Sequence, residues 1–283
     1  MKLFRMLIKW YLFLVPFSAN AQIYDTHFGA ETEGMGGAVT SNYSTDALFN
    51  NIAGISQNDQ ISLISSLQSR FSGIFNTVGF GINCPTSFGN FGFTVARFGD
   101  KLYNEQQVSI GYAYELAGVS FGLRAKLWQV NAQNQGTLFV PIFDFGVITQ
   151  LSKQIWLGGA VNNLTQSGFQ TETNTERLPA RIAIGISYLP QAKVKFNIDI
   201  VKAILFPVSI HTGIQYALTE KLLVRTGLSS LARNYHFGAS LKLKKITCDY
   251  AFSTHPHLGT SHQLTLATQF KTLNKKKKVF KSE

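Results

Sequence analysis

From Tyr235 to Phe270 the chain alternates between apolar side chains and polar or small ones with a period of two. In the first such run the apolar positions are Tyr235, Phe237, Ala239, Leu241 and Leu243. The pattern resumes over 246–252 and again over 263–270. Successive side chains of a β-strand point to opposite faces, so the alternation predicts strands with one apolar and one polar face.

The N-terminus has the three parts of a secretory signal peptide. Basic residues precede a short apolar run over 11–17, and Ala19-Asn20-Ala21 is a small-x-small cleavage site. The apolar run is too short to cross a bilayer as a helix. We therefore predict that residues 1–21 are removed during export.

The composition is rich in glycine and aromatic residues and poor in charge. The 283-residue chain holds 24 Gly, 23 Phe and 10 Tyr, and 14% of its residues are charged, against about a quarter in average proteins. A membrane barrel has this composition because half of each strand faces lipid and half faces a polar lumen. With the leader, it predicts a protein of the bacterial outer membrane, in contact with lipid.

The alternation recurs through residues 59–270, which divide into about fourteen strands of ordinary length. Short links such as Leu116-Ala117 alternate with longer polar ones, predicted at Asn131–Phe139, Asn163–Leu178 and Ser253–Ser261. A soluble β-sandwich would not be expected to have short connections at one end and long connections at the other. The predicted fold is an all-β, antiparallel, up-and-down transmembrane β-barrel with both ends in the periplasm.

Residues 22–58 do not alternate, and we predict that they fold inward as a plug. Gly34, Gly36 and Gly37 are close together and permit tight backbone packing. Downstream lies the stretch from Asp46 to Ile55, which contains Phe49, Asn51, Ala53 and Gly54.

These two stretches resemble the N-terminal signature of the FadL-like outer-membrane superfamily. Asn51, Ala53 and Gly54 match its Asn-Pro-Ala-Gly pattern, while Ile52 stands where proline is usual. The superfamily includes long-chain fatty-acid transporters and the PorV and PorQ proteins of type IX secretion. Residues 249–253 and 258–262 resemble the last hairpin of the PorV/PorQ branch.

A set of charged residues falls on the strand positions whose side chains face the lumen. This placement is expected, because a charged side chain that faces lipid would be costly. Basic residues outnumber acidic ones in this set. They are interpreted either as an internal salt-bridge network or as a path that attracts anionic or amphipathic ligands. The positions are Glu115, Arg124, Lys126, Asp144, Arg181, Lys195, Asp199, Arg225, Lys242 and Asp249, together with His211 and His236.

No catalytic, cofactor or metal-binding motif is recognisable. His255, His257 and His262 match no standard metal-ligand spacing, and Cys84 and Cys248 form no redox motif. The net charge is +11, but lysines concentrate in residues 271–283, interpreted as a solvated periplasmic tail. An enzyme, a cofactor, a metal and a nucleic-acid partner are therefore not predicted.

Two functions remain open on the resemblance. One is a FadL-like passive channel for long-chain fatty acids or other hydrophobic small molecules. The other is an accessory or docking component that binds proteins of a secretion machine. The short chain and modest outer loops favour the accessory role slightly, and a structural barrel with no partner is a third alternative.

Overall fold

A computed structural model describes residues 27–133, 136–170, 175–204, 206–230 and 234–270. Fourteen strands form a closed barrel, each antiparallel to its neighbours, and the first strand pairs with the last to close it. The predicted antiparallel β-barrel of about fourteen strands is confirmed. The predicted signal peptide and basic tail lie outside the described residues. The barrel strands are β1 (Ile61–Arg70), β2 (Phe75–Thr86), β3 (Gly89–Gly99), β4 (Tyr103–Leu116), β5 (Val119–Ala132), β6 (Gly136–Ser152), β7 (Ile155–Asn162), β10 (Arg181–Gln191), β11 (Val194–Ala203), β12 (Ser209–Ala217), β13 (Leu222–Ser229), β14 (Asn234–Lys242), β15 (Ile246–His255) and β16 (Gly259–Phe270).

Two further short strands, β8 (Gly168–Gln170) and β9 (Thr175–Arg177), form a hairpin in the connection between β7 and β10. Ile61 pairs with Phe270, so the first strand begins and the last strand ends at the same rim. We call this rim the terminal end and the opposite rim the outer end.

Two of the three predicted long outer loops are wrong. β5 continues to Ala132 and β6 begins at Gly136, while β15 continues to His255 and β16 begins at Gly259. The polar side chains of these stretches suggested loops, yet their backbones extend the ladder of interstrand hydrogen bonds, as in the pair Tyr103–Ala132. Among the outer connections, the one between β7 and β10 is long.

The two faces of the wall differ as the alternation predicts. On β11, Ile198 and Ile200 are exposed on the outside, while Asn197 and Asp199 are buried on the inside. An outward apolar face is what contact with lipid requires. Among the described residues, no helix has both the length and the apolar character needed to cross a membrane.

Residues 27–58, which we call the N-terminal segment, lie inside the barrel. They form the short helix α1 (Ala30–Gly34) and two 3₁₀ helices, Thr45–Leu48 and Ile52–Ile55. Their apolar side chains pack with those of the wall in one buried cluster. The segment therefore supplies much of the interior that the barrel wall encloses. The cluster consists of Phe28, Ala47, Leu48, Phe49, Ile52, Ile55, Ile64 and Ala113.

Candidate functional site

The N-terminal segment is held from one side by a buried ion-pair group on β5 and β6. Arg124 donates to the Leu48 carbonyl at 2.8 Å and to the Asn50 carbonyl at 3.1 Å. Asp144 lies 2.7 Å from Arg124 Nη2 and 2.9 Å from Lys126 Nζ. The carboxylate thus orients the arginine that binds the segment, and it offsets two buried positive charges.

Polar groups on β11 and β16 hold the segment from other directions. The Asp199 carboxylate accepts from the Thr40 amide at 2.9 Å, and Asn197 donates to the Ala38 carbonyl at 2.6 Å. On β16, the Thr265 hydroxyl accepts from the Ala30 amide at 2.8 Å. Because these anchors come from several strands, the segment bridges the lumen from wall to wall.

Helix α1 is fixed by one further ionisable contact. Glu33 Oε1 lies 3.2 Å from Nδ1 of His236 on β14. Burial raises the pKa of the Glu33 carboxyl, but the hydrogen bond and charge of His236, together with Ser253 and Arg70, bring this pKa below its ordinary value. Glu33 therefore remains ionised, and its charge is directed at His236.

The structure brings together most of the charged side chains that parity directed inward. Arg124, Lys126, Asp144, Asp199, Arg225 and Asp249 are buried, and Arg225 pairs with Asp249 at 2.6 Å. Arg181 and Lys195 lie on the inward face and are partly buried. Glu115 and Lys242 are instead exposed at the terminal ends of their strands.

Inward-facing glycines, which we call the glycine belt, make room for the segment. A Cβ atom on Gly146 would overlap the Asn51 side-chain oxygen, and one on Gly158 would overlap the Thr40 carbonyl. The wall therefore approaches the segment more closely than any side chain would allow. The belt consists of Gly79, Gly81, Gly92, Gly111, Gly122, Gly146, Gly158, Gly185, Gly213, Gly227 and Gly238.

The glycines of the N-terminal motif also lie at close approaches. Gly36 has a φ of +64°, and a Cβ atom there would lie 2.8 Å from the Leu228 amide nitrogen. Gly37 has a φ of +83°, and Gly34 packs against Gly238 of the belt. Any other residue at position 36 would be strained and would collide with β13.

The remaining motif residues are buried in the segment. Phe49 packs edge-on against Phe28 with ring centroids 4.9 Å apart. Ala53 lies against Gly122, and Gly54 lies against the Asn42 carbonyl. These contacts account for small side chains at positions 53 and 54.

Asn51 connects the segment to itself and to the wall. Its side-chain oxygen caps the second 3₁₀ helix by accepting from the Ala53 amide at 3.2 Å. Its amide nitrogen donates to the Thr40 carbonyl at 2.7 Å and to the Gly159 carbonyl at 3.3 Å. No charge marks this residue, so its role was visible only through the motif.

Replacing Asn51 with alanine is expected to lower the free energy of unfolding by about 1–2 kcal/mol, because the cap and a buried amide are lost together. Urea unfolding in lipid vesicles measures this change. The exposed neighbour Gln57 provides the matched control, since Gln57→Ala is expected to leave the midpoint within error. Equal midpoints for the two variants would contradict the prediction.

Two cavities lie on the outer side of the segment. The larger, of about 370 Å³, is bordered by Glu33, Gly36 and Gly37 of the segment and by the outer ends of β1 and of β10 to β16. The smaller, of about 80 Å³, lies near Phe28, Phe49 and Lys126. A polar recess of about 450 Å³ opens at the terminal end beside Asp59 and Glu115.

No known family model and no curated protein matches this sequence. Solved structures do match. The P. putida toluene transporter TodX has a TM-score of 0.68 at 12% identity, covering 88% of this chain and 100% of its own. The Ralstonia pickettii toluene transporter TbuX has a TM-score of 0.65 at 12% identity, covering 88% and 100%. A Pseudomonas aeruginosa FadL homologue has a TM-score of 0.60 at 10% identity, covering 86% and 98%.

The shared feature is the fold. At these identities the likeness establishes the barrel architecture and leaves the ligand to be argued from this chain's own residues. It agrees with the FadL-like fold that the N-terminal motif implies. The finer placement in the PorV/PorQ branch is not shown.

Proposed function

We propose that this protein is an outer-membrane channel for small hydrophobic compounds and has no enzymatic activity. In this proposal the N-terminal segment is the plug that keeps the barrel closed until a ligand binds. The 370 Å³ cavity carries the proposal, because it borders the segment directly at the end opposite the termini. A ligand bound there would contact both the wall and the plug.

The lining of this cavity suits a compound with an apolar body and a polar or anionic group. Phe71, Val201 and Phe206 contribute apolar surface. Arg70 and Arg181 contribute guanidinium groups on the same cavity. Ligand pockets commonly combine an apolar lining with a few such orienting polar groups.

The proposed movement of the plug concerns the part of the segment that borders the cavity. Near the cavity, the loop at Gly36 and Gly37 packs closely against the backbone of β13 and accepts a hydrogen bond from His211 Nδ1 at the Gly36 carbonyl, at 2.6 Å. The second 3₁₀ helix, further from the cavity, is fixed by buried Ile52 and Ile55. In this proposal a bound ligand displaces the part that borders the cavity while the rest remains packed.

The alternative, a docking component of a protein-secretion machine, stays a prediction. None of the contacts described above requires a protein partner. The short chain and the modest outer loops, which favour the accessory role slightly, identify no surface for a protein partner. The cavity and the shared fold now favour the channel.

Ligand binding by the purified full-length protein in detergent tests the proposal. Oleate serves as the anionic amphiphilic probe and toluene as the neutral aromatic probe, each titrated by calorimetry. Uptake of the probe that binds is then followed in proteoliposomes and compared with protein-free vesicles. We expect saturable binding of at least one probe, whereas a folded barrel that binds neither would overturn the proposal.

Filling the cavity is expected to abolish binding without unfolding the barrel. Ala203 lines the cavity at the outer end of β11, and Ala203→Trp would occupy space that the ligand needs. We expect affinity to fall by about tenfold or more, since each 1.4 kcal/mol of lost contact is tenfold. Ile200→Trp, on the lipid-facing side of the same strand, is the control and should bind as the unmodified protein does.

A further inference from the structure

Exposed lysines concentrate along one arc of the terminal end. Lys221 directly precedes β13, Lys242 ends β14, and Lys244 and Lys245 lie in the turn that leads to β15. Lys193 lies in the turn that leads to β11. All of these residues are exposed, and we call them the lysine arc.

Backbone hydrogen bonds place the members of the arc side by side. The Lys242 amide donates to the Lys221 carbonyl at 2.7 Å. The Lys245 carbonyl accepts from the Gln269 amide of β16 at 3.1 Å, and the Lys193 carbonyl accepts from a β12 amide at 2.8 Å. The arc therefore follows neighbouring strands from the turn before β11 to β16, and the barrel wall fixes the spacing of its charges.

The acids of the terminal end are placed mainly outside the arc. Among the described residues, Asp59 and Glu115 border the polar recess beside β2 to β4. Glu220 lies next to Lys221, within the arc. A single acid among the lysines leaves this side of the rim strongly positive, so the surface suits an anionic partner.

The depth of the arc relative to the apolar outer face indicates what kind of anion it meets. Tyr216 is exposed on the outside of β12 and pairs with Val224 of β13. Lys221 lies three residues further toward the terminal end, about 10 Å along the strand. Because membrane strands tilt by about 40°, this corresponds to about 7–8 Å of depth, close to the thickness of a lipid headgroup layer.

Apolar side chains continue among the lysines of the arc. Leu241, Leu243 and Ile246 are about half exposed at this rim, and Leu243 stands between Lys242 and Lys244 in the sequence. A lysine can lay its alkyl stem along such apolar surface while its ammonium group reaches a phosphate. A docking surface for an acidic protein would face solvent beyond the wall, so this mixture favours lipid.

We propose that the lysine arc binds anionic phospholipid headgroups in the membrane leaflet at the terminal end. The lipid phosphates accept hydrogen bonds from the ammonium groups, and the acyl chains lie along the apolar outer face of β12 to β15. The arc thereby sets the depth of this side of the barrel in the membrane. It lies on the outer surface, so its role does not depend on what the internal cavity binds.

Lipid titration of the purified full-length protein tests the lysine arc. Phosphatidylglycerol and phosphatidylcholine with the same acyl chains are added to the protein in detergent, and bound lipids are counted by native mass spectrometry. The two lipids differ in net headgroup charge. A parallel titration of the phosphatidylglycerol complex with inorganic phosphate distinguishes a lipid site from a site for free phosphate.

Two variants with matched charge losses are compared, and slow migration on unheated gels confirms that both are folded. The arc variant carries Lys221→Gln, Lys244→Gln and Lys245→Gln. The control removes exposed basic residues at the outer end through Arg97→Gln, Lys101→Gln and Lys202→Gln. Both keep the lysines of residues 271–283, so a preference caused by that tail would survive in both.

We expect the unmodified protein to prefer phosphatidylglycerol by about tenfold or more, since each lysine near an anionic surface contributes roughly fivefold. The arc variant should lose most of this preference, and the control should keep it. An unchanged preference in the arc variant, an equal loss in the control, or displacement by an equal concentration of inorganic phosphate would overturn the proposal. No preference in the unmodified protein would also overturn it and would leave an acidic protein as the partner that fits the arc.

Discussion

Replacing Asp144 with alanine is expected to open the lumen and to lower the free energy of unfolding by about 3–5 kcal/mol, the cost of breaking a buried ion pair. Asp144 is the counter-ion of both Arg124 and Lys126. It also accepts from the Asn163 amide at 3.0 Å, which fixes the start of the long outer connection. Without it, two buried cations lose this counter-ion, and Arg124 no longer holds Leu48 and Asn50 in place.

Two measurements check this prediction. Urea unfolding in lipid vesicles gives the loss of stability, and single-channel recording in planar bilayers gives the conductance. Glu115→Ala is the matched control. Glu115 is also a carboxylate at a position predicted to face the lumen, but it is exposed at a strand end. If Asp144→Ala and Glu115→Ala gave the same conductance and midpoint, the ion-pair group would not be what holds the segment.

Replacing Gly158 with alanine is expected to displace the N-terminal segment, whereas the same change at the adjacent Gly159 is not. A Cβ atom at Gly158 would overlap the Thr40 carbonyl and lie 2.6 Å from the Ser41 Cα atom, and backbone atoms cannot rotate away. At Gly159 the nearest neighbour is a methyl group of Val147 at 3.2 Å, which can shift. Overpacking of this kind costs about 1–3 kcal/mol.

The pair of variants isolates the contact between belt and segment, since both glycines lie on β7 and face opposite sides. Limited proteolysis of the full-length protein in detergent should cut the N-terminal segment faster in Gly158→Ala than in Gly159→Ala. Conductance should rise in the first variant alone. Equal protection of the segment in both would show that the belt tolerates a side chain and that close approach is not required.

The wall could be predicted from the sequence because its signal is local. A strand exposed to lipid on one face must alternate, so Val108, Ile110 and their polar neighbours reveal strand and facing at once. The lengths of the outer strands could not be read in this way. Beyond the apolar band the side chains are polar whether the backbone pairs or not, as between β5 and β6.

The interior was predicted only in outline. Parity directed Asp144 and Asp199 inward, but Asn197, which donates to two groups of the segment, carries no charge and drew no attention. The belt was also missed, since glycine in a strand looks like any small residue of the polar face. The role of each belt glycine depends on which part of the N-terminal segment lies against it, and that is known only from the tertiary structure.

The period-two alternation by itself determined a wall of about fourteen strands and the orientation of its side chains. It could do so because successive side chains of each strand face the outside and the lumen in turn. The tertiary structure alone decided what fills the lumen. The contacts of Ala30 with Thr265 and of Thr40 with Asp199 join residues that are 235 and 159 positions apart. Such partners meet only when the barrel closes, since no short-range pattern records which inward side chains will surround the same segment.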